Sequence, residues 1–282
     1  MNKVNLTTDL GYPIAVNEFL PANKPKACVL IASATGVKQT LYCKFSQFLA
    51  EQGYAVYTFD YGGIGESKTT SLKAFDTSAS NWSNNDLEAV IQHSKKRHGD
   101  MKLMLIGHSI GGQLIGINPS AKNVDGILLV AAQTGYWPLW KGSEKIKMFL
   151  VWYFLMPTLT RLFGYFPGKS IGSSEDLPKA MALEWRKWCV SPNYLFDHNP
   201  HASDLYNAIK CPIHSFSAED DNFAPKVTVD WLTEKYNNAD KVRIHLVPKE
   251  IGADKIGHFG YFRSKNKGII WNLLLKHLDQ LL

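Results

Sequence analysis

Short apolar runs alternate with longer amphipathic segments along most of the chain. Six runs rich in aliphatic and aromatic side chains predict strands: ACVLIAS from Ala27, YAVYTFD from Tyr54, KLMLIG from Lys102, GILLVAA from Gly126, CPIHSFS from Cys211 and KVRIHLV from Lys241. Strands that are apolar throughout are typical of a parallel sheet that is buried on both faces. The pattern therefore predicts an α/β fold with a mostly parallel sheet flanked by helices.

Helices are predicted between these strands and at the end of the chain. YCKFSQFLAEQG and NNDLEAVIQHSKKRHG end at Gly53 and Gly99, and glycine is common just after the last turn of a helix. The final segment IIWNLLLKHLDQLL has one apolar face and predicts a closing helix. Near the start, GYPIAVNEFLPA predicts part of an antiparallel hairpin at the edge of the sheet.

One long segment interrupts this alternation between the fourth and fifth predicted strands. It is too long for a loop inside a compact domain and predicts a helical cap at residues 134–205, inserted into a core domain formed by residues 1–133 and 206–282. The cap is rich in aromatic side chains, and for each tryptophan packing in the core is as good an interpretation as contact with substrate. The residues predicted to line a substrate pocket are Tyr136, Trp137, Trp140, Trp152 and Trp185.

The most apolar stretch of the chain lies inside this predicted cap. IKMFLVWYFLM, residues 146–156, is stopped by Pro157 and has about half the ~20 residues that a membrane-spanning helix needs. Being apolar on all sides, it predicts a buried helix or one that meets lipid or an apolar substrate. Lys141, Lys145 and Lys147 lie beside it, so weak contact with a membrane surface is a minor alternative.

Composition and charge exclude some classes of protein. The chain has 282 residues, 45% of them hydrophobic, and a formal net charge of +6. Its lysines are scattered rather than clustered, so we expect no nucleic-acid partner. The N-terminal residues lack the pattern of a secretory signal, and the four cysteines show no C-x-x-C spacing, which predicts a cytoplasmic protein. The composition does not determine the oligomeric state.

LIGHSIGGQLIG, residues 105–116, places Ser109 between Gly107 and Gly111 where a strand is predicted to end. The spacing is G-x-S-x-G, which lets a strand turn sharply into a helix with the serine at the apex. Alone, the motif also fits a glycine-rich turn with a surface serine. A nucleophilic serine needs a base to accept its proton and a third group to orient that base.

Both groups are available downstream of Ser109, each just beyond a predicted strand. Asp220 and Asp221 follow CPIHSFS, and His258 follows KVRIHLV. Separately, Asp221 could cap a helix that starts near Pro225, and His258 is one of nine histidines. Because carboxyl ends of parallel strands meet at one edge of the sheet, their combination predicts a catalytic triad of Ser109, Asp221 and His258.

These motifs make the sequence similar to serine hydrolases of the α/β-hydrolase superfamily. The resemblance is carried by GHSIGG, by DYGGIGES from Asp60 to Ser67, by the spacing of Asp221 and Pro225, and by the GHFG loop around His258. In detail, ATGV, AAQTGYWPLW, GYFPGKSIG, SEDLP and EWRKWC resemble a bacterial group of predicted α/β-hydrolases of unassigned substrate. The resemblance implies an eight-stranded type of sheet with an inserted cap.

The family also implies an oxyanion hole made of two backbone N–H groups. Ile110, the residue after the nucleophile, supplies the first. The second comes from the loop after the first predicted strand, which reads ASATGVKQ and lacks the usual His-Gly dipeptide. We assign it to Thr35, with Ala34 as the alternative.

The expected function is that of a serine hydrolase acting on an ester, thioester or related acyl bond of a hydrophobic small molecule through an acyl-enzyme. Its partner is the small-molecule acyl substrate, and it requires neither a metal nor an organic cofactor. His198 and His201 form a potential metal pair, but no third ligand recurs nearby and a loop is the better interpretation. The alternatives are an acyltransferase or thioesterase with the same triad, and a non-catalytic ligand-binding protein with this fold.

Overall fold

A computed structural model describes residues 1–172 and 174–282 of the protein. Ten strands are present in this part of the chain: β1 Asn2–Thr7, β2 Pro13–Phe19, β3 Ala27–Ala32, β4 Tyr54–Phe59, β5 Leu103–His108, β6 Gly126–Val130, β7 Tyr165–Phe166, β8 Leu177–Pro178, β9 Ile213–Ala218 and β10 Lys241–Leu246. Eight of them form one sheet in the order β1-β2-β4-β3-β5-β6-β9-β10, and β7 pairs with β8. This mostly parallel sheet, flanked by helices, confirms the predicted fold.

All six predicted strands are present, and the N-terminal hairpin is present as well. β2 pairs in antiparallel fashion with both β1 and β4, whereas the pairs from β4 to β10 are parallel. The predicted hairpin segment contains β2, which lies second from the edge and is almost wholly buried. The edge strand is β1, where exposed and half-buried residues alternate.

Ten α-helices connect and cover the strands within the described residues: α1 Cys43–Glu51, α2 Ala79–Asn81, α3 Glu88–His98, α4 Ile110–Gly116, α5 Gly142–Leu150, α6 Met156–Phe163, α7 Lys179–Cys189, α8 Ala202–Ala208, α9 Lys226–Thr233 and α10 Asn272–Asp279. Short π-helical stretches precede α3 at Trp82–Leu87 and α10 at Lys267–Trp271. The helices expected before Gly53 and Gly99 and at the end of the chain are confirmed.

The two faces of the sheet bury two separate apolar clusters. Along β3, Leu30 contributes to one cluster and Val29 and Ile31 to the other, as expected from the two-residue period of a strand. The first cluster contains side chains of α3 and α4, and the second contains side chains of α1 and α10. Burial on both faces explains why the central strands, which are buried at every position, are almost wholly apolar.

The segment between β6 and β9 contains α5 to α8 and the β7–β8 hairpin. Its buried side chains, among them Trp152 and Trp188, join the same apolar cluster as Leu114 and Ile115 of α4. The segment therefore packs on the sheet domain rather than standing apart from it. The division of the chain at residues 134 and 205 stays a prediction.

The apolar helix in this segment is longer than its sequence suggested. The stretch Val151–Leu155 is π-helical and joins α5 to α6, so one helix extends over 22 residues from Gly142 to Phe163. The expectation that Pro157 ends it is wrong. Pro157 lies in the first turn of α6, just after the π-helical stretch, where a missing N–H is tolerated.

Candidate active site

Ser109 lies at the sharp turn between β5 and α4 and has a strained backbone, with φ 54° and ψ −120°. Its N–H donates a hydrogen bond to the carbonyl of Val130 at 3.0 Å, which fixes the turn against β6. The flanking glycines are required by close packing. A Cβ on Gly107 would lie 2.5 Å from Cα of Gly112, and a Cβ on Gly111 would collide with the carbonyl oxygen of Ala32.

His258 and Asp221 form a buried pair at the same edge of the sheet. Nδ1 of His258 lies 2.8 Å from Oδ2 of Asp221, and the two residues are only 8% and 3% exposed. The other carboxylate oxygen accepts the backbone N–H groups of Phe223 and Ala224 at 2.9 and 3.0 Å. Asp221 is therefore held rigidly, and it favours the tautomer of His258 that carries its proton on Nδ1 and leaves Nε2 free to accept one.

Asp220 acts on the same loop in a different way. Its carboxylate oxygens accept the backbone N–H groups of Ile256 and Gly257, both at 2.9 Å. These residues immediately precede His258. Asp221 thus contacts the imidazole itself, whereas Asp220 holds the backbone that carries it.

A buried tyrosine and histidine connect three loops around Ser109. Oη of Tyr42 accepts the N–H of Ala34 at 2.9 Å and lies 2.8 Å from Nδ1 of His108, whose Nε2 lies 2.9 Å from the carbonyl oxygen of His258. A carbonyl only accepts, so Nε2 of His108 donates to it, and the Tyr42 hydroxyl donates to Nδ1. Burial, followed by the nearby His258, holds the pKa of His108 well below its usual value, consistent with this neutral tautomer.

The same network separates the two candidates for the second oxyanion donor. The N–H of Ala34 is committed to Tyr42. In the part of the chain that the structure describes, no hydrogen bond uses the N–H of Thr35. Ile110 is the first residue of α4, where backbone N–H groups have no partner within the helix. Thr35 and Ile110 therefore both have backbone donors free to bind an anionic oxygen.

The hydroxyl of Ser109 is paired with an amide that the sequence analysis did not single out. Oγ lies 3.5 Å from both Oε1 and Nε2 of Gln133, and Nε2 also lies 3.4 Å from the carbonyl oxygen of Phe223. Among the described residues, Ser109 has no hydrogen bond to His258. Gln133 follows β6 by three residues, and a polar residue so soon after the strand beside the nucleophile is the signal that could have identified it.

Tyr42 and His108 were also missed as parts of the site. His108 is within the GHSIGG motif itself, but the sequence does not show its hydrogen-bond partners, and without them core packing is the simplest interpretation of this side chain. Tyr42 lies at the start of α1 and meets His108 only through the fold, 66 residues apart in sequence. No local pattern could have paired them.

The aromatic residues predicted for the pocket are distributed over the inserted segment. Trp140 is buried, and its Nε1 donates to the carbonyl of Asn222 at 3.0 Å, beside Asp221. Three of the others pack within the segment: Trp137 contacts Phe149, Trp152 contacts Trp185, and Trp185 also donates a hydrogen bond to Tyr194. Tyr136 is half-buried, and its backbone N–H donates to Oγ1 of Thr134 at 3.2 Å. Their role in binding substrate stays a prediction.

The histidine pair considered as a metal site has other contacts. His198 Nε2 lies 2.7 Å from Oγ of Ser191, and His201 immediately precedes α8. Over residues 1–172 and 174–282, no cluster of three or more His, Cys, Asp or Glu side chains is arranged to hold a metal ion.

The sequence also matches a known family of hydrolases. The family model described as "Serine aminopeptidase, S33" matches residues 23–181, more than half of the chain. The protein therefore belongs to this family and is a serine hydrolase of the α/β-hydrolase superfamily, as the sequence motifs predicted. A curated relative, protein phosphatase methylesterase 1 of Candida albicans, is 24% identical over 97 residues, which are 34% of this chain and 26% of that protein. The chain thus matches about a quarter of that relative's length.

Solved structures of similar fold include several esterases. An esterase of Pyrococcus furiosus superposes with a TM-score of 0.64 at 15% identity, covering 99% of this chain and 90% of that one. A thermophilic esterase of Thermogutta terrifontis superposes with a TM-score of 0.61 at 15% identity, covering 100% and 99%. An enzyme described as degrading N-acyl homoserine lactones gives 0.62 at 16% identity, covering 97% and 99%. These similarities establish the fold.

Proposed function

We propose that the protein is a carboxylesterase-type serine hydrolase that cleaves esters of hydrophobic small molecules through an acyl-enzyme. The observation that carries this proposal is that a strained serine and a buried His–Asp pair follow the carboxyl ends of parallel strands in one sheet. The family to which the chain belongs is consistent with it. The esterases of similar fold make an ester the first substrate to test.

In the proposed reaction, Oγ of Ser109 attacks the carbonyl carbon of the ester and passes its proton to Nε2 of His258. Asp221, 2.8 Å from Nδ1, stabilises the imidazolium that forms. The N–H groups of Thr35 and Ile110 bind the negative oxygen of the tetrahedral intermediate. When the C–O bond breaks, His258 returns the proton to the departing alcohol. Water then repeats the sequence at the acyl carbon and releases the acid.

The free protein must rearrange slightly before the first step. Ser109 lies against Gln133 and is not bonded to His258, and a nucleophile–base hydrogen bond is often loose until substrate binds. We propose that the arriving acyl group displaces the Gln133 amide and leaves the hydroxyl free to turn toward Nε2. Because the contacts of that amide with Oγ of Ser109 are long, at 3.5 Å, breaking them costs little free energy.

A preference for hydrophobic substrates is supported by the surroundings of His258. Phe223 is half exposed, and its ring centre lies 5.6 Å from that of His258. A cavity of about 400 Å³ also borders His258, and Phe223, Ile256 and Phe259 line part of it beside charged side chains that include Lys255 and Arg263. Apolar surface beside the base favours acyl groups longer than acetyl.

The test is a series of p-nitrophenyl esters from acetate to decanoate, with the Ser109→Ala protein as control. We expect kcat/KM to rise with acyl length and the variant to lose at least about 10⁴-fold. Matched thioesters and aminoacyl p-nitroanilides distinguish thioester and peptide hydrolysis from ester hydrolysis. Faster cleavage of either class would replace the ester proposal, and equal rates for acetate and decanoate would contradict the preference for hydrophobic acyl groups.

A further inference from the structure

The helix Gly142–Phe163 turns a second apolar face away from the protein. Ile146, Leu150 and Phe154 recur every four residues and are 64%, 50% and 57% exposed, and Leu162 is 74% exposed two turns further on. The helix is about 33 Å long at 1.5 Å per residue. Scattered exposed leucines are ordinary on a protein surface, but an apolar row along one helix, broken here at Thr158, marks a surface that binds something. We call these four side chains the outer face.

The charges that accompany the outer face are mainly positive. Lys141, Lys145 and Lys147 lie at the N-terminal end of the helix, and Arg161 lies near its C-terminal end. Glu144 is the one acid within the helix and contacts Lys147 at 3.4 Å. Lysines at the borders of an apolar row are typical of helices that lie at the surface of an anionic membrane.

The opposite side of the helix is fixed to the protein. Met148, Trp152 and Met156 are buried in the apolar cluster that also covers the sheet, and Nε of Arg186 donates to the carbonyl of Trp152 at 2.9 Å. The helix is long and apolar enough to cross a membrane, but 28% of its most apolar 18-residue window is buried. Crossing a bilayer would remove these side chains from the core, whereas lying along its surface leaves them in place.

We propose that the outer face docks on an anionic membrane surface, with the helix parallel to the bilayer. Docking does not depend on the proposed ester hydrolysis, but the helix lies close to the residues proposed to catalyse it. Nζ of Lys147 lies 5.8 Å from the ring centre of Phe223, which in turn lies 5.6 Å from that of His258. The N-terminal end of the helix that carries the outer face therefore lies near the candidate active site, where acyl substrates dissolved in lipid would arrive.

Charge favours a membrane over a second copy of the chain as the occupant. Two copies packed about a twofold axis would bring the outer faces together, and basic ends would meet basic ends in either direction of the helices. Anionic headgroups instead neutralise Lys145, Lys147 and Arg161 while the acyl region accepts the apolar row.

The test is sedimentation with vesicles of phosphatidylcholine containing one quarter phosphatidylglycerol. The intact protein should bind, and Leu150→Ser/Phe154→Ser should bind at least tenfold more weakly. Leu10→Ser is the matched control, since Leu10 is 53% exposed in the turn between β1 and β2. A loss of binding in the control equal to that in the double variant would overturn the proposal.

A second pair of variants tests the charges. Lys145→Gln/Lys147→Gln should weaken binding to the anionic vesicles severalfold and leave the low affinity for pure phosphatidylcholine unchanged. Lys96→Gln/Lys122→Gln removes the same charge near the opposite edge of the sheet, before β5 and β6, and should have no effect. Equal effects of the two pairs would show that only net charge matters and would refute docking through this helix.

Two further readouts keep docking separate from catalysis and from dimerisation. Ser109→Ala should bind vesicles like the unchanged protein, and Leu150→Ser/Phe154→Ser should hydrolyse soluble p-nitrophenyl acetate at the original rate. Failure of hydrolysis with normal vesicle binding would count against the proposed function alone. A dimer in light scattering that Leu150→Ser/Phe154→Ser dissociates, with no vesicle binding by either protein, would assign the outer face to a second copy and overturn membrane docking.

Discussion

Replacing Asp221 by asparagine should nearly abolish turnover, whereas the same change at Asp220 should chiefly weaken the fold. Oδ1 of an asparagine at 221 can keep the N–H groups of Phe223 and Ala224, but its NH2 group would face Nδ1 of His258. The imidazole would then carry its proton on Nε2, where it cannot accept one from Ser109. A loss of about 10⁴-fold in kcat follows, or about 5 kcal/mol of transition-state stabilisation.

Asparagine at 220 would lose one of two backbone contacts. Its oxygen can keep either Ile256 or Gly257, and its NH2 group would leave the other N–H without an acceptor. We expect the free energy of unfolding to fall by about 1–3 kcal/mol. Since the His258 loop would loosen without changing the imidazole's tautomer, kcat should fall by no more than about 10²-fold.

The assay is kcat and KM for one p-nitrophenyl ester, with urea unfolding of each variant. Because the two acids are adjacent and the substitutions identical, each variant is the control for the other. Equal losses of kcat, or a larger loss for Asp220→Asn with both proteins folded, would refute the assignment of Asp221 as the group that orients His258.

Three further changes test other parts of the structure. Tyr42→Phe should lower the free energy of unfolding by about 1–3 kcal/mol in urea titrations, because Ala34 and His108 lose their shared partner; an unchanged midpoint would contradict the network. Burial raises the pKa of Asp86 to about 7, so the native state retains a proton that the unfolded chain has lost. The contribution of Asp86 to the free energy of unfolding should therefore fall by up to about 4 kcal/mol as the pH rises from about 4 to 7, and Asp86→Asn should remove that contribution from the pH dependence. Thr35→Ala should keep kcat within about threefold, since its proposed role uses only the backbone N–H; a large loss of kcat in the folded variant would implicate the side chain.

The sheet and the catalytic candidates could be predicted because their signals are local. Each strand of the sheet from β3 to β10 is a short run rich in aliphatic or aromatic side chains, and Ser109, Asp221 and His258 each follow such a run. Parallel strands bring those ends together, so chain order predicted an acid beside His258, and the spacing from Pro225 favoured Asp221 over Asp220. The structure has Asp221 2.8 Å from His258.

The remaining features depend on contacts between distant segments. Gln133 meets Ser109, and Tyr42 meets His108, only once the strands are aligned. The course of the helix through Pro157 required a π-helical stretch that no periodicity indicates. Its outer face was also hidden, because a helix that is apolar all round does not show which side the protein will cover.

The most direct test of the central claim is covalent labelling of the intact protein by a fluorophosphonate, followed by mass measurement and peptide mapping. A phosphonyl group traps a nucleophilic serine that is activated by its base, so ordinary surface serines remain unlabelled. We predict one label per chain, located on Ser109, absent in Ser109→Ala and formed much more slowly in Asp221→Asn. A folded protein that takes up no label, or carries it on another serine, would contradict the assignment of Ser109 as the nucleophile.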